Sequence, residues 1–314
     1  MATISSKASD EGLKGEQKVH DFSVNEEVDE GAKAALKSSI KRFQHDHGPG
    51  SNNKTQTRLS FASKRKSDVA GVDEPVSTSS ANKRTRQSAS YAPPTKYAHL
   101  SELTDIIEPG LIGLIVGFNP GVKTATAGHA YAHPSNQFWR LMHSSGITDR
   151  RLKPEEDGTL PKLYQMGNTN LVSRPSANFA ELSKQEMAAG TPVLEEKVRA
   201  FKPESVCIVG KGIWDSVWRY RYGREIKKAE FKYGWQDKKE KMGKTKDWGG
   251  AWVFVATATS GLAANLKPEE KEAIWKPYGE WVQRRREERK AEAEAEVEQD
   301  QAEAVDGIES QSAE

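Results

Sequence analysis

Three short apolar runs constrain the fold of this chain more than any other feature of its sequence. They cover residues 111–116, 205–209 and 251–257, and each is followed by a turn of glycine or other small residues. Such runs, bounded by turn residues, are typical of strands that are covered on both faces, as in a parallel sheet. If the strands are parallel, the turns that follow them lie at one edge of the sheet, where open α/β sheets bind ligands.

Apolar residues at helical spacing separate these runs, so we predict an α/β fold. A short extended piece is also expected at residues 170–172. The predicted helices cover residues 100–107, 135–145, 182–189 and 192–201, a stretch after Gly212, and residues 274–281 with a charged, solvated continuation past Arg286.

The aromatic residues indicate where the folded domain lies. All eight tryptophans fall between Trp139 and Trp281, and few aromatic residues precede Lys96. With a mean hydropathy of −0.77, the 314-residue chain is too polar to be one compact domain throughout. We therefore predict a disordered basic N-terminal arm over residues 1–95, one folded domain over residues 96–286, and a charged, acidic C-terminal tail over residues 287–314.

Cysteine content and hydropathy exclude several classes of protein. A single cysteine, Cys207, excludes a disulfide framework and a four-cysteine metal site, and its apolar surroundings predict a buried thiol. The sequence shows neither a secretory signal nor an apolar run of about 18 residues. We therefore expect a soluble intracellular protein with no membrane partner, no metal and no other cofactor.

The N-terminal arm carries two basic clusters, at residues 64–66 and 83–86. Such clusters are typical of nuclear localisation signals or of nucleic-acid contacts, and the alternative is a solvated charge run. Leu36, Ile40 and Phe43 follow helical spacing, which is consistent either with docking to a partner or with a transient helix. We expect the protein to be nuclear and to meet import and repair partners through this arm.

A further basic region lies inside the folded domain. Gly210, Lys211 and Gly212 follow the second apolar run, but they lack the spacing of a P-loop, so we expect at most a single phosphate contact from Lys211. Residues 219–248 are rich in lysine and arginine, with aromatic residues between them. This stretch is either a surface that faces nucleic acid or a solvated insertion.

The turn after the first apolar run is the strongest candidate for a functional site. Residues 117–121 read GFNPG, and a polar tract with His129, Tyr131 and His133 follows before the next helix. Two glycines and a proline around one amide form a stiff turn at a strand end. The pattern alone allows either a binding pocket or a structural turn in which Asn119 is favoured only for its turn geometry.

Four segments resemble motifs of the mismatch-specific uracil/thymine DNA glycosylases, within the uracil-DNA glycosylase superfamily. The resemblance extends from about residue 100 to 281, and the separation of Asn119 from Asn170 also fits the family. The similar segments are GFNPG (117–121) to the family's GINPG, GHAYAHPSNQFW (128–139) to GHxYxxPxNxFW, NTNLVSRPS (168–176) to TNMVERTT, and TSGLAA (259–264) to PSGLSR.

This resemblance implies a three-layer α/β/α sandwich around a mostly parallel sheet, with residues 96–286 as the catalytic domain. It implies a monofunctional glycosylase, expected to be a monomer. The enzyme would flip uracil, and in its broader form thymine, out of a mismatch with guanine and hydrolyse the N-glycosidic bond, which starts base excision repair. Its partner would be double-stranded DNA containing G·U or G·T mismatches.

The resemblance also assigns roles to individual residues. Asn119 corresponds to the family's catalytic amide, and Ser176 stands where the family has a threonine that helps to position water. Tyr131 corresponds to the aromatic residue that stacks on the flipped base, and Asn170 to an amide that contacts it. The remaining predicted residues are Gly121 and Asn136 for substrate binding, and Lys211, Ser260, Gly261 and Leu262 for DNA contacts, with Leu262 as the wedge that fills the vacated space.

The implied chemistry depends on positioning rather than on basicity. An amide takes up no proton near neutral pH, so Asn119 can orient a water molecule but cannot act as a general base. No lysine of these motifs is placed to form a Schiff base, so lyase activity is not expected. The bond is then expected to break through an oxocarbenium-like state, helped by stabilisation of the departing base anion. This predicts a slow enzyme that favours good leaving groups.

Two departures from the family pattern keep other functions open. Thr259 replaces the proline of PSGLSR, and Ala264 replaces its arginine, which weakens the expected grip on the widowed guanine. One alternative is therefore a glycosylase for uracil and damaged pyrimidines without thymine activity. The other is a non-catalytic DNA-binding protein on the same fold.

Overall fold

A single five-stranded sheet organises the computed structural model, which describes residues 91–261, 263 and 266–311, with side chains as far as residue 301. The sheet order is β2-β1-β3-β5-β4. The first four strands in this order are parallel, and β4 pairs antiparallel with β5 at the edge. The strands are β1 (Gly113–Gly117), β2 (Met166–Asn170), β3 (Ser205–Val209), β4 (Gly234–Trp235) and β5 (Trp252–Ala256).

The helices of the described residues connect and cover these strands. Short 3₁₀ helices lie at Pro94–Tyr97, Pro154–Thr159, Phe179–Glu181 and Lys238–Glu240. None of the described helices has the length and apolar character needed to cross a membrane. The α-helices are α1 (Val122–Ala127), α2 (Phe138–Ser144), α3 (Leu160–Tyr164), α4 (Lys184–Phe201), α5 (Lys211–Tyr222) and α6 (Pro268–Gln311).

Two hydrophobic cores cover the two faces of the sheet, because successive side chains of each strand point to opposite sides. On one face, strand residues such as Ile115 and Phe254 pack with residues of α2, α3 and α6. On the other face, strand residues such as Leu114 and Val206 pack with residues of α4 and α5. The predicted three-layer α/β/α sandwich around a mostly parallel sheet is therefore confirmed.

The segment before β1 and the strand β2 differ from the sequence prediction. Residues 100–107 were predicted to be helical, which is wrong, because Ile106 forms two antiparallel backbone hydrogen bonds with Asn168, of 2.8 and 2.9 Å. This pairing satisfies the outer side of β2, whose backbone groups would otherwise lack partners there. Strand β2 itself runs over Met166–Asn170, earlier than the extended piece expected at residues 170–172, because its polar sequence hides it from a hydrophobicity pattern.

Helix boundaries follow capping and burial more than local sequence. Helix α4 continues through Pro192, where a break was predicted, and buries Leu194 and Val198 beyond it. Burial of this helix on the sheet offsets the roughly 3 kcal/mol that an interior proline costs. Helix α2 begins at Phe138, later than predicted. The charged continuation of the last helix past Arg286 is confirmed, since α6 extends to Gln311.

Three arginines attach α6 to the amino ends of the strands. Glu204, which precedes β3, accepts hydrogen bonds from Arg285 at 2.7 and 2.9 Å and from Arg289 at 2.9 Å. Arg286 donates to the carbonyl oxygens of Tyr164 and, at 2.8 Å, Ile147. Burial raises the pKa of the Glu204 carboxyl, but the bonds from the arginines outweigh burial and hold that pKa below its ordinary value.

Candidate active site

The loops at the carboxyl ends of the parallel strands carry the predicted site residues. Asn119 lies two residues beyond β1, and Asn170 is the last residue of β2, where it pairs with Gly117. A backbone bridge joins Gly121 to Ser176, so the loops after β1 and β2 lie side by side. The loop after β5 approaches the polar tract before α2, since the Gln137 N–H donates to the Thr259 carbonyl oxygen at 2.9 Å. The edge predicted from parallel strands therefore exists.

The side-chain amide of Asn119 is fixed by the loop after β2. Its Nδ2 donates to the Arg174 carbonyl oxygen at 3.0 Å and to Ser176 Oγ at 2.8 Å. A carbonyl oxygen can only accept, so the nitrogen of the amide must face Arg174. Among the described residues, Oδ1 of Asn119 has no hydrogen-bond partner and can accept one from a ligand or water.

Ser176 holds Asn119 from within the protein. The residue is fully buried, at 0% exposure, and its hydroxyl donates to the Asn178 carbonyl oxygen at 2.8 Å while it accepts from Asn119. Its backbone N–H donates to the Pro120 carbonyl oxygen at 3.1 Å. Both capacities of the hydroxyl that the structure shows are therefore used to position the amide and the loop.

A buried carboxylate and an arginine brace the same loop. Glu181 accepts hydrogen bonds from Lys96 Nζ and the Tyr97 hydroxyl, each at 2.7 Å, and from the Ala177 N–H at 3.0 Å. Arg174 pairs with Glu186 at 2.6 Å. The bond from Lys96 is the main cause that lowers the pKa of Glu181, so the carboxylate stays charged at neutral pH. This brace ties residues 91–97 to the loop that orients Asn119.

Tyr131 stands beside the end of β1 in a conformation that is unusual for a residue with a side chain. Its φ of 53° lies in the left-handed region, and its ring stacks on Phe138 with centroids 3.7 Å apart and planes inclined by 14°. Asp157 holds the preceding residues, accepting from the Ala130 N–H at 2.7 Å and contacting His129 Nδ1 at 3.1 Å. Burial raises the pKa of the Tyr131 hydroxyl, which has no hydrogen-bond partner among the described residues.

Gly117 allows the side chains of Tyr131 and Asn170 to approach the backbone at the end of β1. A Cβ added at Gly117 would lie 2.6 Å from Asn170 Oδ1 and 2.9 Å from the Tyr131 hydroxyl oxygen, both too close for real contacts. The polar ends of the two predicted base-binding residues thus converge on a position without a side chain. A side chain at residue 117 would therefore displace both of them.

Asn136 and Gly121 have local structural roles in addition to any role with substrate. The Asn136 side-chain oxygen accepts from the Phe138 N–H at 3.0 Å, which explains why α2 begins at Phe138. Gly121 precedes α1 with extended backbone angles, and a Cβ there would meet no atom within 4 Å. The structure therefore places both residues beside the pocket loops without a direct contact to the Asn119 amide.

The predicted DNA-contact residues are distributed over two segments, after β3 and after β5. Lys211 forms an ion pair with Asp215 at 2.7 Å and lies over the Phe231 ring, so a phosphate would have to compete with this carboxylate. Gly261 lies against Ser135, because a Cβ there would be 2.5 Å from the Ser135 hydroxyl oxygen. Ser260 is exposed at the same loop. Leu262 and Ala264 lie outside the described residues, as do the basic clusters of residues 1–90.

Several residues that shape this site were not predicted from the sequence. Gly117, Arg174 and Asn178 lie inside or next to the motif segments, but their parts depend on backbone atoms and empty space, which motifs do not reveal. Glu181 and Asp157 act from short 3₁₀ helices outside the motifs. Their burial as carboxylates could not be read from sequence spacing.

The site suits chemistry by positioning. The described residues contain no cluster of metal-ligating side chains. Cys207 is buried in the core, and burial raises the pKa of its thiol, so it is not available as a nucleophile. The predicted site residues at the strand ends are the oriented amide of Asn119, the ring of Tyr131 and the amide of Asn170. The last two approach Gly117.

Comparison with known proteins agrees with this geometry. The model of the uracil DNA glycosylase superfamily matches residues 105–278, which include every strand and the loops at the site. A relative from Schizosaccharomyces pombe, described as a G/U mismatch-specific uracil DNA glycosylase, is 37% identical over 193 residues. The alignment covers 60% of this chain and 56% of the relative, so the chain spans little more than half of that protein's length. Since the family match covers more than half of the chain, this protein belongs to the uracil DNA glycosylase superfamily.

Proposed function

We propose that this protein is a monofunctional DNA glycosylase that flips uracil out of a mismatch with guanine and hydrolyses its N-glycosidic bond. The observation that carries this proposal is the fixed Asn119 amide, whose nitrogen is held by Arg174 and Ser176 while its oxygen has no partner among the described residues. An oriented carbonyl oxygen at the end of a strand can hold a water molecule against the sugar of a flipped nucleotide. The description of the S. pombe relative supports uracil opposite guanine as the preferred substrate.

The remaining pocket residues supply the binding part of the reaction. A base inside a duplex cannot be reached, so it must be extruded, which costs less for a wobble pair than for a matched pair. Tyr131 offers a ring for stacking, worth about 1–3 kcal/mol per base, and Phe138 supports that ring from one side. Asn170 lies within reach of the edge of a base that enters over Gly117.

Bond cleavage in this proposal needs no general base. The Asn119 amide positions the water, and the base leaves as an anion while positive charge develops on the sugar. Backbone N–H groups at the strand ends can stabilise the departing anion. The proposed enzyme is therefore slow, and its rate rises with the stability of the leaving base.

The test is single-turnover cleavage of matched duplexes that contain G·U, G·T or A·U pairs, with the Asn119→Ala variant as control. We expect complete release of uracil from G·U and a lower rate with A·U, where flipping costs more. Release of thymine from G·T would extend the activity to thymine, whereas cleavage of G·U alone would establish a uracil-restricted enzyme. An intact G·U duplex with stoichiometric bound protein would reject catalysis and favour a DNA-binding protein on this fold.

A further inference from the structure

Asn168, in the middle of β2, is a buried polar residue that the proposed reaction has not yet used. It is 2% exposed, and its Oδ1 has no hydrogen-bond partner among the described residues. No hydrogen bond of the rest of its side-chain amide is seen there either, although its backbone is paired on both sides. Buried polar atoms are nearly always paired, so an unpaired amide in a strand requires a physical reason.

The next residue, Thr169, is a buried polar residue of β2 whose hydrogen bonds are satisfied within the protein. Thr169 is fully buried, and its hydroxyl donates to Asp105 at 2.6 Å and accepts from Lys197 Nζ at 2.9 Å. Lys197 in turn pairs with Asp105 at 2.5 Å. This network lies on the opposite face of the sheet, since successive strand residues alternate. The contrast indicates that the missing partner of Asn168 is not a general feature of this strand.

The position of Asn168 places it beneath the candidate pocket. It shares a face of β2 with Asn170 and lies two residues, roughly 6–7 Å, further from the strand end. Asn168 pairs with Ile115 of β1. Two residues further along β1, on the same face, is Gly117, which has no side chain. The Tyr131 hydroxyl, which approaches Gly117, is the other buried polar atom at this place without a partner.

The chemistry of a pyrimidine nucleotide indicates which atom would reach this depth. The sugar is attached at N1, and position 4 lies directly across the ring from N1. If the sugar is held at the mouth of the pocket beside Asn119, the 4-substituent is the deepest part of the base. Uracil and thymine carry a carbonyl oxygen there, which accepts a hydrogen bond from an amide nitrogen.

We propose that Asn168 is a specificity-determining residue whose side-chain amide recognises the edge of the flipped pyrimidine, with Oδ1 accepting from the N3–H and Nδ2 donating to the 4-oxygen. The inference rests on the proposed glycosylase function and adds a second, deeper amide to the base contact expected from Asn170. Among the described residues Asn168 Oδ1 lacks a partner, and the N3–H of a bound base would supply it. Removal of the amide should therefore cost recognition of the base and leave folding stability unchanged or improved.

The experiment measures equilibrium affinity for G-mismatched duplexes carrying a 2′-fluoroarabino nucleotide, whose fluorine disfavours the oxocarbenium-like state and keeps the base attached. One duplex carries uracil, and the other carries pyrimidin-2-one, which lacks both the 4-oxygen and the hydrogen on N3. We expect the natural protein to prefer uracil by about tenfold, the effect of at least one hydrogen bond, and Asn168→Leu to bind both duplexes equally. The thermal midpoint of Asn168→Leu should equal or exceed that of the natural protein.

Thr169→Val is the matched control, because it removes a satisfied buried hydroxyl on the other face of the same strand. It should lower the thermal midpoint and keep the preference for uracil. Asn168→Ala repeats the test with a smaller side chain. The inference is overturned if Asn168→Leu and Asn168→Ala keep the tenfold preference, or if both fail to fold, which would make Asn168 a structural residue.

The outcome for the proposed function is read separately. In one outcome the natural protein cleaves an ordinary G·U duplex yet shows no preference for uracil over pyrimidin-2-one. This result would contradict the role of Asn168 and still support the glycosylase activity. Absence of cleavage by the natural protein would instead reject the activity on which the inference rests.

Discussion

The orientation of one amide is the central chemical feature of this protein. Asn119 has two N–H groups, and both are directed at oxygen atoms of the loop after β2. An amide that is held in this way needs no reorganisation when a water molecule binds to its oxygen. In the proposed mechanism geometry replaces basicity, so any change that frees the amide should slow base release more than it weakens DNA binding.

We predict that Asn119→Ala binds a G·U duplex with nearly natural affinity but releases uracil on the order of 10²-fold more slowly. Ser176→Ala should slow release by a smaller factor, because the Arg174 carbonyl still holds the Asn119 amide. The double variant should be no slower than Asn119→Ala, since Ser176 acts through Asn119. Single-turnover rates and gel-shift affinities measure these effects, and additive losses would show that Ser176 acts independently.

A second prediction concerns Gly117, which Asn170 and Tyr131 approach closely. Gly117→Ala would place a Cβ within 2.6 Å of Asn170 Oδ1 and 2.9 Å of the Tyr131 hydroxyl oxygen, so both side chains must shift. We expect uracil release to fall by about 10²-fold, the effect of a misplacement of about 1 Å in a positioned site. The matched control is Gly128→Ala, where no atom lies within 4 Å of the added Cβ but the φ of 74° strains an L-residue. If strain alone mattered, the control would lose as much activity as Gly117→Ala.

The candidate site and the attachment of the last helix lie at opposite ends of the strands. The site is built from loops at the carboxyl ends of the strands, whereas α6 is attached at the amino ends through Glu204 and the arginines that it binds. The brace around Glu181 connects residues 91–97 to the Asn119 loop. One attachment lies at the amino ends of the strands and the other at their carboxyl ends. We therefore expect that stability and catalysis can be perturbed separately.

The attachment of α6 gives a testable pH dependence. The pKa of Glu204 is lowered in the folded protein, so its contribution to stability is present above the unfolded value of about 4.3 and is lost as pH falls through the folded value. We predict that Glu204→Gln lowers the stability at pH 7 by about 2 kcal/mol, the worth of hydrogen bonds to a charged group. The difference from the natural protein should shrink below pH 4, which thermal unfolding at several pH values can measure.

Glu294→Gln provides the control for this experiment. Glu294 lies on the exposed continuation of α6 and contacts only Lys290 among the described residues, at 3.7 Å. Surface pairs of this kind contribute little, so no change in the thermal midpoint is expected. An equal loss in both variants would mean that general charge, and not the attachment at Glu204, stabilises the helix.

Charged segments of opposite sign precede and follow this domain in the sequence. The basic clusters at residues 64–66 and 83–86 lie outside the described residues, and the acidic stretch begins at residue 292 and continues α6 as far as Gln311. We propose that the basic arm adds phosphate contacts and directs the protein to the nucleus. The domain boundaries at residues 95 and 286 also stay predictions, although the family match at residues 105–278 lies within them.

We predict that deletion of residues 1–90 weakens DNA binding and flattens its dependence on salt. Each phosphate contact that is lost should reduce the slope of log affinity against log salt by about 0.9. The single-turnover rate at saturating protein should be unchanged, because residues 91–97 and their contacts to Glu181 are retained. An unchanged slope would limit the arm to a localisation signal, which replacement of both clusters in a fluorescent fusion would test.

Much of this architecture could be predicted because it depends on local patterns. The apolar runs of β1, β3 and β5 and the small-residue turns after them indicated a parallel sheet and the edge at which ligands bind. The motif segments identified Asn119, Tyr131 and Asn170 through their resemblance to a known family. Strand β2 escaped prediction because Asn168 and Thr169 are polar residues that are nevertheless buried.

The amino-acid sequence was sufficient for most of the sheet, because hydrophobic period and turn chemistry act between near neighbours. It was sufficient for the family through four motif segments that resemble a known one, and the same resemblance singled out Asn119. Only the folded structure shows what orients that amide. Its hydrogen bond to Ser176 joins residues 57 positions apart, and its bond to Arg174 joins residues 55 positions apart. Such contacts arise when two strand ends are brought side by side, so no pattern along the chain can reveal that Asn119 is held by its nitrogen while its oxygen has no partner among the described residues.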